Sequence, residues 1–222
     1  QVVSVSEQDA VLGVLPLFHA LAQMANLLLP FSVGAHVVFL ETLKTRELLR
    51  ALDEEGITIF VCVPQFFYLI HQRIVGEIDA RGVRVRAIFR SLLWINARLR
   101  RVGLNAGPLF FGRVHRSLGQ RMRLLITGGS RLDPAIGQDL HDLGLTILQA
   151  YGLTETSGAA TITTPGEPVE TVGRPFPNTQ LRIAARDGDG EVLICGPVVM
   201  AGYWNRPDAT AAVLRHGWLH TG

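Results

Sequence analysis

Lysine is almost missing from this chain. Of its 21 basic residues, 20 are arginine, and Lys44 is the one lysine. Chemistry that needs a lysine ammonium therefore has a single candidate, placed at the start of a helical run. Cysteine is nearly as scarce. Cys62 and Cys195 lie far apart in apolar, strand-like runs, with no C-x-x-C or Cys/His spacing. That excludes a disulfide framework or cysteine-based zinc site and points to buried thiols in a reducing compartment. Acidic residues vanish from Ala80 to Leu132, a stretch holding twelve arginines. Charge of either sign vanishes between Asp9 and Glu41. That run is no membrane span, because Pro16, His19, Gln23, Asn26, Pro30, Gly34 and His36 interrupt it, whereas a spanning helix needs about 20 predominantly apolar residues. The opening QVVSVSEQDA has no basic start followed by an apolar block, so no signal peptide is read there.

What is present suits a globular α/β protein. The 222 residues are 48% hydrophobic, enough for one large domain or one domain with a small lobe. VLGVLPL and AHVVFL read as strands around the helix HALAQMANLLLPFS. TRELLRALDEEG is helical with Gly56 as its stop. ITIFVCV is a buried strand, and Pro64 opens the helix PQFFYLIHQRI. VRVRAIFRSLLWINARLRRVG is a basic amphipathic helix whose face would hold Val85, Ile88, Phe89, Leu92, Leu99 and Val102. RMRLLITGG and LTILQAYG are strands on either side of DPAIGQDLHDLG, a helix capped by Asp133 with Pro134 at its first position. Apolar strands alternating with helices predict a mostly parallel sheet flanked by helices over residues 1–165. TPGEPVETVGRPFPN reads as a linker. TQLRIAA and GEVLICG, around the turn RDGDG, predict a small β lobe over 166–222.

Three glycine-bearing turns follow strands, where ligands gather in open α/β sheets. They are Thr127-Gly128-Gly129-Ser130, the segment Tyr151-Gly152-Leu153-Thr154-Glu155-Thr156, and the final GWLHTG. The second joins a flat aromatic face, a glycine for close approach, a hydroxyl for phosphate and a hard carboxylate for Mg²⁺. It makes a nucleotide-phosphate site or an ordinary polar turn.

QAYGLTETS resembles the Tyr-Gly-x-Thr-Glu motif of the adenylate-forming superfamily. PLFH, LLITGGSRLDP, VGRPFPN, GEVLICGPVVMAGYWNRPDAT and GWLHTG are similar to further motifs of that superfamily in the same order. The subgroup it most resembles is the bacterial long-chain fatty acyl-CoA synthetases. Ala150 stands where many relatives carry glycine, which leaves acyl chain length open. The resemblance implies two steps: a fatty acid carboxylate attacks ATP to give acyl-adenylate, and CoA then takes the acyl group. It implies Glu155 as the Mg²⁺ ligand and a catalytic residue with Thr154, which holds phosphate. Tyr151 would stack on adenine. Gly128, Gly129, Ser130, Gln149, Ala150 and Gly152 would line the nucleotide site, Gly128 and Gly152 also facing the acyl group. His19 would lie beside the substrate carboxylate, or serve as a hydrogen-bonded core histidine. His220 is read as packing the last turn.

The resemblance also implies missing parts: an upstream phosphate loop, an Asp after GWLHTG, and a C-terminal domain with a catalytic lysine. The chain thus reads as a fragment of the large N-terminal domain, inactive alone, its partners being fatty acid, ATP and CoA, and no nucleic acid. A strand missing before Gln1 would leave an open sheet edge, favouring a homodimer or aggregation. Two rivals stay open: a fatty acyl-AMP ligase that loads a carrier protein, and a non-catalytic module that kept the fold. The Arg-rich stretch 80–132 is either a solvated face or a peripheral contact with an anionic membrane surface. A cytoplasmic location, at most peripheral to the inner face of the membrane, is expected.

Overall fold

A computed structural model describes residues 3–42, 44–186 and 189–222. The chain begins with β1 (Ala10–Gly13), α1 (Ala20–Gln23), a π-helical turn (Met24–Leu28), α2 (Leu29–Val33) and β2 (His36–Phe39). Then come α3 (Thr45–Glu54), β3 (Ile59–Cys62), α4 (Pro64–Asp79) and α5 (Val83–Arg101). The short α6 (Gly107–Phe110) and α7 (Gly112–Ser117) lead to β4 (Leu124–Thr127), α8 (Pro134–Asp142) and β5 (Ile147–Tyr151). Two-residue strands β6 (Thr161–Ile162) and β7 (Arg174–Pro175) follow. The last elements are β8 (Gln180–Arg186), β9 (Asp189–Cys195), α9 (Pro207–Val213), β10 (Leu214–Arg215) and β11 (Trp218–His220).

The large sheet has the order β2-β1-β3-β4-β5-β6-β7. Strands β2 to β5 are parallel; β6 and β7 join antiparallel. Strand periodicity sends alternate residues to opposite faces. Leu12, Phe60, Cys62 and Leu125 pack under α3, α4, α7 and α8, with Leu52, Phe67, Leu118 and Leu140. Val11, Ile59, Val61, Leu124 and Ile126 face the other way, against Leu21, Ala25 and Phe176. Both faces are covered, which is why these strands read as unbroken apolar runs. The separate antiparallel sheet β10-β11-β9-β8 forms the small lobe. No described helix is long and apolar enough to cross a membrane.

The end of the sheet before β1 is clamped by one carboxylate. Asp9 Oδ1 accepts from Thr58 Oγ1 at 2.7 Å and Arg123 Nε at 2.8 Å. Its Oδ2 accepts from Arg123 Nη2 at 2.8 Å and the Ser6 amide at 2.9 Å. The Arg123 guanidinium holds the Asp9 carboxyl well below the usual carboxylate range, although burial acts in the opposite direction.

Three expectations need correction. The proline-rich stretch is not only a linker: it carries β7, the last strand of the large sheet. The α5 face is shifted: Phe89 and Leu92 reach the core together with Leu93, whereas Ile88 and Val102 are 60% and 71% exposed. The reason is that α5 packs on α4 and α8 along a stripe centred on Asn96, which is fully buried and bridges the Asp142 carbonyl and the Ala106 amide, both at 2.8 Å. The expected helix after PLFH does form, but its middle is π-helical. The tip of the RDGDG turn, Asp187 and Gly188, lies outside the described residues.

Candidate active site

β4 and β5 are parallel neighbours, with Thr127 opposite Gln149. Their C-terminal ends therefore release Gly128-Gly129-Ser130 and Gly152-Leu153-Thr154 side by side. The loop after β1 brings Pro16 to His19 to the same end of the sheet. Ligands of open α/β sheets bind at this edge.

Glycine is dictated at one of these positions, Gly152, and favoured at another, Gly128. A Cβ on Gly128 would sit 3.1 Å from the Ala150 carbonyl oxygen and 3.3 Å from Leu21 Cδ2. A Cβ on Gly152 would sit 2.5 Å from Ala159 Cα. Behind Gly152 the turn is locked by Thr156, fully buried, whose Oγ1 accepts from the Leu153 amide at 2.8 Å and donates to its carbonyl at 3.0 Å. The backbone of Gly158 packs directly on Ala20 and Leu21 at the start of α1, which puts the segment after His19 against the Tyr-Gly-x-Thr-Glu turn.

The predicted residues divide by what they touch. Gly129, Ser130, Thr154 and His19 are exposed at this edge. His19 has no side-chain hydrogen bond to the helix it precedes, and its ring lies 4.5 Å from that of Phe18. Glu155 and Tyr151 are half-buried. Tyr151 packs with Leu153 on the small-lobe cluster around Ala160, Ile194 and Leu219. Ala150 is half-buried against the opposite core cluster. Gln149 turns inward: its amide donates to the Val169 carbonyl and to that of Thr171 at 3.2 Å, tying down the proline-rich segment. His220 lies off this cluster, its Nδ1 3.1 Å from Glu191 Oε2 on the neighbouring strand β9.

One partner of Glu155 was not read from the sequence. Tyr203 Oη donates to Glu155 Oε1 at 2.6 Å, and the Glu155 carboxylate raises the Tyr203 phenol above its ordinary value. The Met200 amide donates to the Glu155 carbonyl at 2.8 Å, and Ser157 Oγ to the Val198 carbonyl at 3.1 Å. The small lobe thus grips the acidic turn by backbone and side chain. The signal lay in GYW, inside a stretch similar to a family motif; nothing local pairs it with a residue 48 positions earlier.

No group of three or more His, Cys, Asp or Glu able to hold a metal occurs among the described residues. Glu155 Oε2 has no hydrogen-bond partner among them. One free carboxylate oxygen fits Mg²⁺, which takes one or two carboxylates and fills its shell with phosphate and water.

A parallel α/β sheet with a small β lobe carries glycine turns and one carboxylate together at its C-terminal edge, where open α/β domains bind ligands. The chain matches the AMP-binding enzyme family over residues 1–204 and belongs to that family. It is 32% identical to the long-chain-fatty-acid-CoA ligase FadD15 of Mycobacterium bovis, across 96% of this chain and 37% of that protein. It is 30% identical to long chain acyl-CoA synthetase 1 of Arabidopsis thaliana, across 98% of this chain and 36% of that one. The chain therefore spans about a third of the length of these curated relatives. The N-terminal domain of FACL13 from Mycobacterium tuberculosis shares the fold, with a TM-score of 0.73 at 21% identity, over 100% of this chain and 49% of that one. So does the o-succinylbenzoate CoA synthetase of Bacillus subtilis, solved in complex with ATP and magnesium ion, at a TM-score of 0.69 and 23% identity, over 98% and 39%.

Proposed function

We propose that this chain is the part of an ATP-dependent fatty acid-CoA ligase that presents the nucleotide and acyl groups to each other. The observation that carries the reading is the turn Tyr151 to Thr156, held rigid by Thr156 and aimed by Tyr203 so that one Glu155 oxygen stays free. Thr154 offers a hydroxyl to phosphate beside it. Glycine at 128 and 152 lets the two turns pack on Ala150 and Ala159, and their backbone, with that of Gly129, is offered to the nucleotide. Tyr151 supplies a ring edge at the seam between sheet and lobe, and His19 stands at the mouth for the substrate carboxylate. Mg²⁺, when bound at Glu155, would neutralise phosphate charge. These residues position two anions and offset charge where it develops, the main sources of catalysis in such transfers.

The test is Glu155→Gln in the full-length protein. The amide keeps the size and the bond to Tyr203 but ligates Mg²⁺ poorly. Fatty acid-dependent pyrophosphate release should fall by about 100-fold, the order seen when one preorganised charge-stabilising contact is lost, while thermal unfolding stays unchanged. Near-normal release at saturating Mg²⁺ refutes the role.

A further inference from the structure

One hydroxyl in the small lobe ties down the segment from which Tyr203 reaches Glu155. Thr210, half-buried in α9, accepts at Oγ1 from the Tyr203 amide at 2.9 Å and donates to the Arg206 carbonyl at 2.9 Å. An amide only donates and a carbonyl only accepts, so the direction of both bonds is fixed. The Arg206 amide donates in turn to the Tyr203 carbonyl at 3.2 Å, closing a turn over Tyr203-Trp204-Asn205-Arg206. Asn205 takes the left-handed region there, with φ 52°, a conformation that asparagine tolerates better than most residues with a side chain. On the other side of Tyr203, Gly202 backs onto the same threonine: a Cβ there would meet Thr210 Cγ2 at 2.9 Å. The helix is itself anchored, since Val213 packs on the small-lobe cluster around Ala160, Ile194 and Leu219.

Tyr203 needs this support. Its side of the turn is open: Tyr203 is 37% exposed, and Trp204 beside it is 90% exposed and adds little packing. Neighbouring side chains restrain the ring only in part, so the reach of Tyr203 Oη to Glu155 Oε1, at 2.6 Å, is set by the backbone behind it. Thr210 holds that backbone to α9, and has no hydrogen bond of its own to Glu155.

We propose that Thr210 is a positioning residue: by fixing the backbone of Tyr203 it sets where Glu155 presents its free oxygen, and so how tightly the site takes a divalent cation. The inference rests on the reading of Glu155 as the Mg²⁺ ligand.

The experiment uses the full-length protein and follows enzyme-bound Mn²⁺ by electron paramagnetic resonance, with the α,β-methylene analogue of ATP, so that binding is measured apart from turnover. Thr210→Val keeps the shape and removes the hydroxyl; Mn²⁺ binding should weaken about fivefold, the order of one net hydrogen bond. The Mg²⁺ concentration for half-maximal pyrophosphate release should rise in parallel. Thr210→Ser keeps the hydroxyl and should bind within about twofold of wild type. In a Tyr203→Phe background, Thr210→Val should change nothing further, because it acts through that tyrosine. Asn205→Val, at the exposed tip of the turn, is an independent second variant: a β-branched residue resists a positive φ, and binding should weaken in the same direction. Circular dichroism should match wild type for both.

The proposal is overturned if Thr210→Val and Asn205→Val bind Mn²⁺ within about twofold of wild type while Glu155→Gln binds it weakly. It is equally overturned if Thr210→Ser is as weak as Thr210→Val, or if Thr210→Val costs as much in the Tyr203→Phe background as alone. Undiminished binding by Glu155→Gln overturns instead the reading of Glu155 on which the proposal stands.

Discussion

Asp9→Asn removes one charge and little volume from the clamp that joins the segment before β1 to Thr58 and Arg123. The carboxylate takes bonds on both oxygens, two of them from the Arg123 guanidinium at 2.8 Å. An asparagine offers one acceptor oxygen. Whichever way the amide is turned, its NH₂ must face either Arg123 Nη2 and the Ser6 amide, or Arg123 Nε and Thr58 Oγ1. Breaking a buried pair costs about 3–5 kcal/mol. Arg123 is more than a third exposed and keeps part of its hydration, so about 3 kcal/mol is expected. With a urea slope of about 3 kcal/mol/M, the midpoint of chain unfolding should drop by about 1 M at pH 7. The pH dependence follows from the sign of the shift. A carboxyl depressed in the folded state contributes fully above its unfolded value of about 3.9 and loses that contribution as pH falls toward the folded value. The gap between wild type and variant should stay constant from pH 8 to 5. Below about pH 3.9 it should narrow by about 1.4 kcal/mol per pH unit. A gap under about 1 kcal/mol at pH 7, the range of surface pairs, would refute the reasoning. So would a gap that does not narrow in acid.

Gly152→Ala puts a methyl 2.5 Å from Ala159 Cα and 2.8 Å from Thr156 Oγ1; a loss of about 1–3 kcal/mol is expected in denaturant unfolding, as for other overpacked sites. Asn96→Ala strands the Asp142 carbonyl and the Ala106 amide at the foot of α5, and unfolding should register about 2–4 kcal/mol for the two lost bonds. Tyr203→Phe in the full-length protein leaves Glu155 without its 2.6 Å partner; pyrophosphate release should drop about tenfold, the order of one lost hydrogen bond of about 1.4 kcal/mol, with the Mg²⁺ concentration for half-maximal rate raised.

The sheet was legible because both of its faces are buried: runs such as ITIFVCV and RMRLLITGG have no other stable use. The α8 cap was legible too, and Asp133 Oδ1 accepts from the Ala135 amide at 2.8 Å. The two-residue strands β6 and β7 and the short helices α6 and α7 were not. Nothing in Arg174-Pro175 announces a strand, because its partner Thr161-Ile162 supplies the reason for it. Gly107, Pro108 and Gly112 hide α6 and α7, which exist by packing rather than propensity. The α5 face was misjudged at Ile88 and Val102 because hydropathy ranked them as core, whereas the helix turns its buried stripe around a polar residue, Asn96. In the candidate site, the Tyr-Gly-x-Thr-Glu turn and Gly128 were visible as local patterns. The grip of Tyr203 and Met200 on Glu155 was not, since hydrogen bonds between distant segments leave no periodicity.

That grip makes the small lobe a lever on the acidic turn. The peptide of Glu155 hangs from Met200, its carboxylate from Tyr203, and Ser157 from Val198. The fulcrum is Gly152, pressed against Ala159. If the four-stranded sheet tilts against the seven-stranded one, the turn is carried along with its free oxygen. The position of that oxygen therefore depends on how the small lobe is held against the turn.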